Sequence, residues 1–123
     1  MGPWGHVIVK ARIGATNEDL QEVEFMVDTG AFYTILPPAI CERLRIALPL
    51  RESMVTADNR VLVVEVGPAH IEINGRAAGI LVGKMDVPSP LLGVSALEAL
   101  GFKVNPVDGT LEPTRPFPEI PLL

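Results

Sequence analysis

The chain has 123 residues, a formal net charge of −5, 48% hydrophobic residues and only 5% aromatic ones, which limits it to one domain around a modest core of Val, Ile, Leu and Ala. Its ten Lys and Arg are scattered, which argues against the clustered basic face that a nucleic-acid partner needs. No apolar run approaches the ~18 residues that cross a bilayer, and the N-terminus lacks the basic and apolar regions of a signal peptide. The expectation is a cytoplasmic protein with no nucleic-acid or membrane partner.

In "HVIVKARI" Val7, Val9, Ala11 and Ile13 alternate with Lys10 and Arg12, which predicts a strand over 6–13 ending at Gly14. "GATNEDLQ" supplies turn residues, and "EVEFMV" alternates again with Val23, Phe25 and Val27 inward; the two runs make a hairpin. "YTIL" is a short apolar strand. In "PPAICERL" Pro38 suits a first helical position, and Ile40 and Leu44 are i,i+4 neighbours on one face, so one or two helical turns are expected there. Cys41 is the one cysteine; with no partner and no nearby His it reads as a small buried thiol.

"SMVTADNRVLVVEV" gives two strand-like runs around a tight turn, where Asp58 and Asn59 tolerate left-handed backbone. "AHIEI" and "AAGILV" flank the Asn74-Gly75 turn as a third pair. "SALEALG" predicts a short helix with Ser95 as N-cap, Glu98 completing a capping box and Gly101 as the stop. "FKVN" and "TLEP" flank "PVDG", where Asp108 precedes glycine in a turn, and the proline-rich "TRPFPEIPLL" lacks periodicity. The division expected is a domain over 1–112 and a tail over 113–123. His6 and His70 have no ligand-spaced partner, Trp4 suits an anchor for the first strand, and Asp86 reads as a loop acid. No metal site and no cofactor are expected.

"EFMVDTGAFYTILP" is the unusual stretch, because it aims a carboxylate, Asp28, out of an apolar strand. One partly desolvated acid is costly and makes an inefficient hydrolase. Two that share a proton are effective: the ionised one polarises a water, and the protonated one hydrogen-bonds to the scissile carbonyl. The chain has one "DTG", so the second aspartate has to come from a second copy, and a twofold interface would bring the two Asp28 residues face to face. Gly30 allows a close turn beneath the carboxylate, and Thr29 and Thr34 offer hydroxyls to backbone groups of the loop.

"FMVDTGAFYT" followed by "PLLGVSALEALG" resembles the retroviral-type aspartic proteases, the homodimeric retropepsins, and especially their small bacterial and archaeal relatives. A bare D-T-G arises by chance in on the order of 2% of chains this long, so the weight rests on strand, motif, hairpin and "LLG" helix occurring in order over about residues 7–112. The resemblance implies an all-β, retropepsin-like acid-protease fold with a closed barrel-like half, a flap hairpin and one short C-terminal helix. It implies that Asp28 is the catalytic acid of an aspartic endopeptidase acting on peptide or protein substrates, that Thr29, Gly30, Ala31 and Thr34 support its loop, and that Leu91, Leu92 and Gly93 pack behind it. The flap would span 54–64 with its tip at Ala57, Asp58, Asn59 and Arg60.

Three positions depart from the retroviral pattern. The tip has no glycine, Phe32 and Tyr33 replace the two acids after D-T-G-A, and Ser95 stands where relatives often carry Asp or Asn. Phe32 and Tyr33 would favour apolar substrate residues. The alternatives are a turn-capping Asp28 in an inert β domain and a non-catalytic dimer of the same fold serving as a peptide-binding or scaffold module. A phosphoryl-transfer role lacks the lysine and the further carboxylates that magnesium needs.

Overall fold

The computed structural model describes residues 7–117; Trp4 and His6 lie outside them. The elements in chain order are β1 (Ile8–Gly14), β2 (Gln21–Val27), β3 (Thr34–Leu36), α1 (Pro38–Leu44), β4 (Leu50–Val55), β5 (Val61–Ile73), β6 (Arg76–Lys84), β7 (Leu91–Leu92), α2 (Val94–Leu100), β8 (Phe102–Asn105) and β9 (Thr110–Pro113). This is an all-β, retropepsin-like arrangement with two short helices. Among the described residues no helix is long and apolar enough to cross a membrane.

Seven strands share one sheet in the order β1-β2-β7-β3-β6-β5-β4, and β1 also pairs with β5 through Arg12–Gly14. The alternation expected in β1 and β2 decides which face is buried: Ala11, Ile13, Val23 and Phe25 are buried while Arg12, Glu22 and Glu24 are exposed. A one-residue slip would invert both faces, so the pattern also sets the antiparallel register Ala11↔Val23. The core is aliphatic as the composition requires, with Leu36, Val66, Ile71, Ile73, Val82 and Leu92 almost fully enclosed around Phe25.

Two sequence expectations need correcting. "VLVVEV" and "AHIEI" are not separate strands but one 13-residue strand, β5, that runs straight through Gly67-Pro68. Proline is tolerated because β4 pairs with β5 only as far as Val66 and β1 begins only at His70, so the missing N–H falls where no strand would use it. The second correction concerns α2. Its N-cap is Gly93, no side chain caps it, and Ser95 lies inside the helix with its hydroxyl donating to the Phe32 carbonyl. The expected stop is observed, since Gly101 ends α2 in left-handed backbone.

Other local signals hold. Pro38 opens α1, and Cys41 and Leu44 are buried beneath it. Asn74 and Gly75 both have positive φ, 51° and 80°, the geometry of a two-residue hairpin turn with primed twist. Asp108 accepts from the Thr110 N–H and hydroxyl at 3.1 and 2.6 Å, which is the turn role expected of it. His70 is exposed.

Candidate active site

β2 delivers Asp28 just past its C-terminal end, and β7 holds it there. The two-residue strand β7 lies between the strands that flank the loop, parallel to β2 (Met26↔Leu91, Val27↔Leu92) and antiparallel to β3 (Ile35↔Leu91). The Asp28 N–H donates to the Leu92 carbonyl at 3.0 Å. Beyond Leu92 the chain bonds directly to the loop: Val94 N–H to Ala31 O at 2.8 Å, Ser95 N–H to Phe32 O at 3.0 Å, and Gly93 N–H to Thr34 Oγ1 at 3.2 Å. Two segments some 60 residues apart in sequence therefore form one hydrogen-bonded unit.

Gly93 is required by closeness. A Cβ built there would lie 2.3 Å from the Tyr33 carbonyl oxygen and 2.7 Å from that of Phe32, both backbone atoms with nowhere to go. Thr34 is fully enclosed and is the one buried polar side chain among the described residues; its hydroxyl supplies the acceptor that the Gly93 N–H would otherwise lack. Within the loop the Gly30 N–H donates to Asp28 Oδ1 at 3.0 Å, and the Ala31 N–H to the Asp28 carbonyl at 3.1 Å. The carboxylate is thus oriented through one oxygen.

A cleft of about 630 Å³ lies between this loop and the β4–β5 hairpin. Asp28, Gly30, Ala31, Phe32 and Tyr33 line it from the loop, and residues 53–57 with Leu62 line it from the hairpin. Among the described residues Asp28 and Tyr33 are the only ionisable ones that line it, and most of the wall is apolar. Phe32, 61% exposed, meets Tyr33 edge-on with ring centroids 5.1 Å apart. Leu91 also faces the cleft, whereas Leu92 is buried behind the loop. Thr29 is exposed and its side chain makes no hydrogen bond within the described residues. Met85 and Val87, from the segment before β7, complete the wall; sequence reading missed them because a loop methionine and valine carry no periodic or motif signal.

The β4–β5 hairpin lines the cleft, but only part of its tip reaches it. Ala57 lines it; Asp58, Asn59 and Arg60 do not. Those residues bond to the hairpin instead. The Thr56 hydroxyl bonds to Asp58 Oδ1, Arg60 Nε donates to Asp58 Oδ2 at 2.8 Å, and the Arg60 N–H donates to Thr56 Oγ1 at 3.1 Å. The Thr56 hydroxyl, and after it Arg60, holds the Asp58 carboxyl below the usual carboxylate range. Asn59 alone takes left-handed backbone, at φ 65°. That conformation is the one for which asparagine is the best substitute for glycine, so a glycine-free tip still turns tightly.

The model of a protein family described as "gag-polyprotein putative aspartyl protease" matches residues 15–99, more than half of the chain, and that span holds the Asp28 loop, the hairpin, β7 and nearly all of α2. The chain belongs to this retropepsin-like aspartyl protease family. No curated protein matches it. An aspartyl-protease domain is a hydrolase domain, and retropepsin-like proteases act on peptides; an apolar cleft with one carboxylate on its wall suits that class. Among the described residues no group of three or more His, Cys, Asp or Glu is arranged to hold a metal ion.

Proposed function

We propose that the protein is an aspartic endopeptidase working as a homodimer, in which Asp28 of each subunit contributes one carboxylate to a shared dyad. The observation that carries this is the single acid: among the described residues, Asp28 is the only carboxylate lining a cleft that the β4–β5 hairpin also lines. General acid–base hydrolysis needs an acid and a base together, and a second copy supplies the missing group by symmetry.

In this mechanism the ionised Asp28 takes a proton from water as the water oxygen bonds to the scissile carbonyl carbon. The protonated Asp28 hydrogen-bonds to the carbonyl oxygen and stabilises the charge that develops there. As the protonated Asp28 passes its proton to that oxygen, a tetrahedral gem-diol forms and one proton remains on the dyad. On collapse the C–N bond breaks, the amine nitrogen takes that proton, and one diol hydroxyl returns a proton to the dyad, restoring its shared-proton state. The Gly30 N–H, bonded to Asp28 Oδ1 at 3.0 Å, orients the carboxylate for these transfers. Met54, Leu62, Phe32 and Leu91 would accept apolar substrate side chains, and with so few polar partners in the wall a buried charged side chain would be penalised.

The test is digestion of a diverse peptide mixture read by mass spectrometry, comparing wild type with Asp28→Asn. Cuts beside apolar residues that vanish in the variant are expected. A folded dimeric wild type that cuts nothing would replace this reading with a peptide-binding or scaffold module. Dilution into the monomeric range should also lower activity per chain; constant specific activity there would refute the shared dyad.

A further inference from the structure

The segment after β9 leads back to the end of α2 remote from Asp28. There the last backbone carbonyls of the helix run out of intrahelical partners; the Gly101 N–H still reaches Glu98 O at 3.2 Å, and two arginines from different parts of the chain supply further donors. Arg115 Nη2 donates to the Glu98 and Ala99 carbonyls at 2.8 and 3.1 Å. Arg76, next to the Asn74-Gly75 turn, donates from Nη1 to the Leu100 and Gly101 carbonyls at 3.0 Å each, and from Nη2 to the Arg115 carbonyl at 3.0 Å. Four successive carbonyls, 98–101, therefore each accept from a guanidinium, at the helix end where positive charge is favoured. The Arg76 guanidinium also lies over two rings, 4.8 Å from the centre of Phe102 and 5.3 Å from that of Phe117. The Thr114 N–H adds a bond to Gly101 O at 2.8 Å.

A seven-residue helix is only about 10 Å long and is too short to hold its own shape or place. Burial of Ala96, Leu97 and Leu100 seats one face of it in the core, and what grips its two ends fixes how it sits along its axis. At one end are Arg76, Arg115 and Phe117; at the other, Val94 and Ser95 hold the Ala31 and Phe32 carbonyls of the Asp28 loop. We propose that Arg76, Arg115 and Phe117 form a clamp that positions the Asp28 loop through α2, so that residues 114–117 serve the active site rather than trail from the domain. None of the three lines the cleft, so they are positioning residues and do not contact substrate there. The catalytic consequence rests on the protease reading above; the effect on loop motion does not.

The experiment measures amide hydrogen exchange at Val94 and Ser95, together with kcat and KM on a peptide the wild type cuts, in Arg115→Ala, Arg115→Lys and Phe117→Ala. In Arg115→Ala those two amides should exchange about tenfold faster while the Ile71 amide in β5 is unchanged. The kcat should fall about tenfold with KM within about twofold. Arg115→Lys, which keeps the charge but loses the planar fork, should recover part of both effects. Phe117→Ala, which removes the ring beside the two guanidiniums and leaves both arginines in place, reports the same coupling if Arg115→Ala is poorly folded. Unchanged exchange at Val94 and Ser95 would overturn the clamp even in an active enzyme. So would a kcat loss that disappears on raising the protein concentration, because the segment would then be acting on subunit association. A wild type that cuts no peptide would end the protease reading and leave exchange to decide the clamp.

Discussion

Replacing Gly93 by alanine adds one methyl group where the chain has no room for it. The new Cβ would sit 2.3 Å from Tyr33 O, 2.5 Å from Tyr33 C and 2.7 Å from Phe32 O, against about 3.4 Å for an ordinary contact. Either the Phe32–Tyr33 backbone or the start of α2 must move by about 1 Å, and the Gly93–Thr34, Val94–Ala31 and Ser95–Phe32 bonds stretch with it. Overpacking of this kind costs about 1–3 kcal/mol, a fall in Tm of about 3–5 °C per kcal/mol at this chain length. Gly79 is the control. It lies in β6 on an exposed face, and a Cβ there meets nothing within 4 Å, so Gly79→Ala should be neutral or stabilise by up to about 1 kcal/mol through the unfolded chain. Thermal unfolding at one fixed protein concentration compares the two, since association shifts Tm. In the peptide-cleavage assay, a shift of 1 Å in the Asp28 loop predicts a loss on the order of 100-fold for Gly93→Ala alone. If both substitutions shift Tm equally, or if Gly93→Ala retains wild-type Tm, the close packing of β7 against the loop is refuted.

Thr34→Val keeps the shape of the buried side chain but removes the acceptor for the Gly93 N–H; it should destabilise by about 1–2 kcal/mol in urea unfolding, and a neutral result would mean that the N–H has another partner. The Asp58 carboxyl should titrate below the usual carboxylate range by NMR, and Thr56→Ala should raise it, because the Thr56 hydroxyl is the largest cause of its depression. Since its folded value is lowered, its support of the hairpin tip is complete above about pH 4 and is lost as pH falls through that lower value; a midpoint indifferent to Thr56→Ala would contradict the hydroxyl–carboxylate bond. Peptide cleavage should follow a bell-shaped pH profile, because one carboxyl of the proposed dyad must be ionised and the other protonated. A flat profile from acid to alkaline would exclude the shared proton.

Some of this architecture is local enough to be legible in a single chain. Alternation in 7–13 and 22–27 assigns faces, because a strand turns every second side chain the same way. Asn74-Gly75 and Gly101 declare their turns through the few residues that tolerate positive φ. Asp28 stands out because an acid at the end of an apolar strand needs a reason. Where local reasoning failed, a neighbour in space supplied what the local signal left out. Ser95 looks like an N-cap, yet the Phe32 carbonyl is near enough to take its hydroxyl. Gly67-Pro68 looks like a break, yet it falls where β5 passes from β4 to β1.

The strand faces, the Asp28 motif, the β4–β5 hairpin and the family to which they belong can be read along the chain, because each is written in adjacent residues or repeated at a fixed period. Contacts between distant segments settle the rest: Leu92, Val94 and Ser95 bond to the loop, Thr34 answers the Gly93 N–H, Asp58 to Arg60 bond within the hairpin tip, and Arg76 and Arg115 meet on α2. The last of these contacts joins residues 39 positions apart. Their meeting depends on how β6 and β9 approach the same helix end, a geometry that no local pattern encodes.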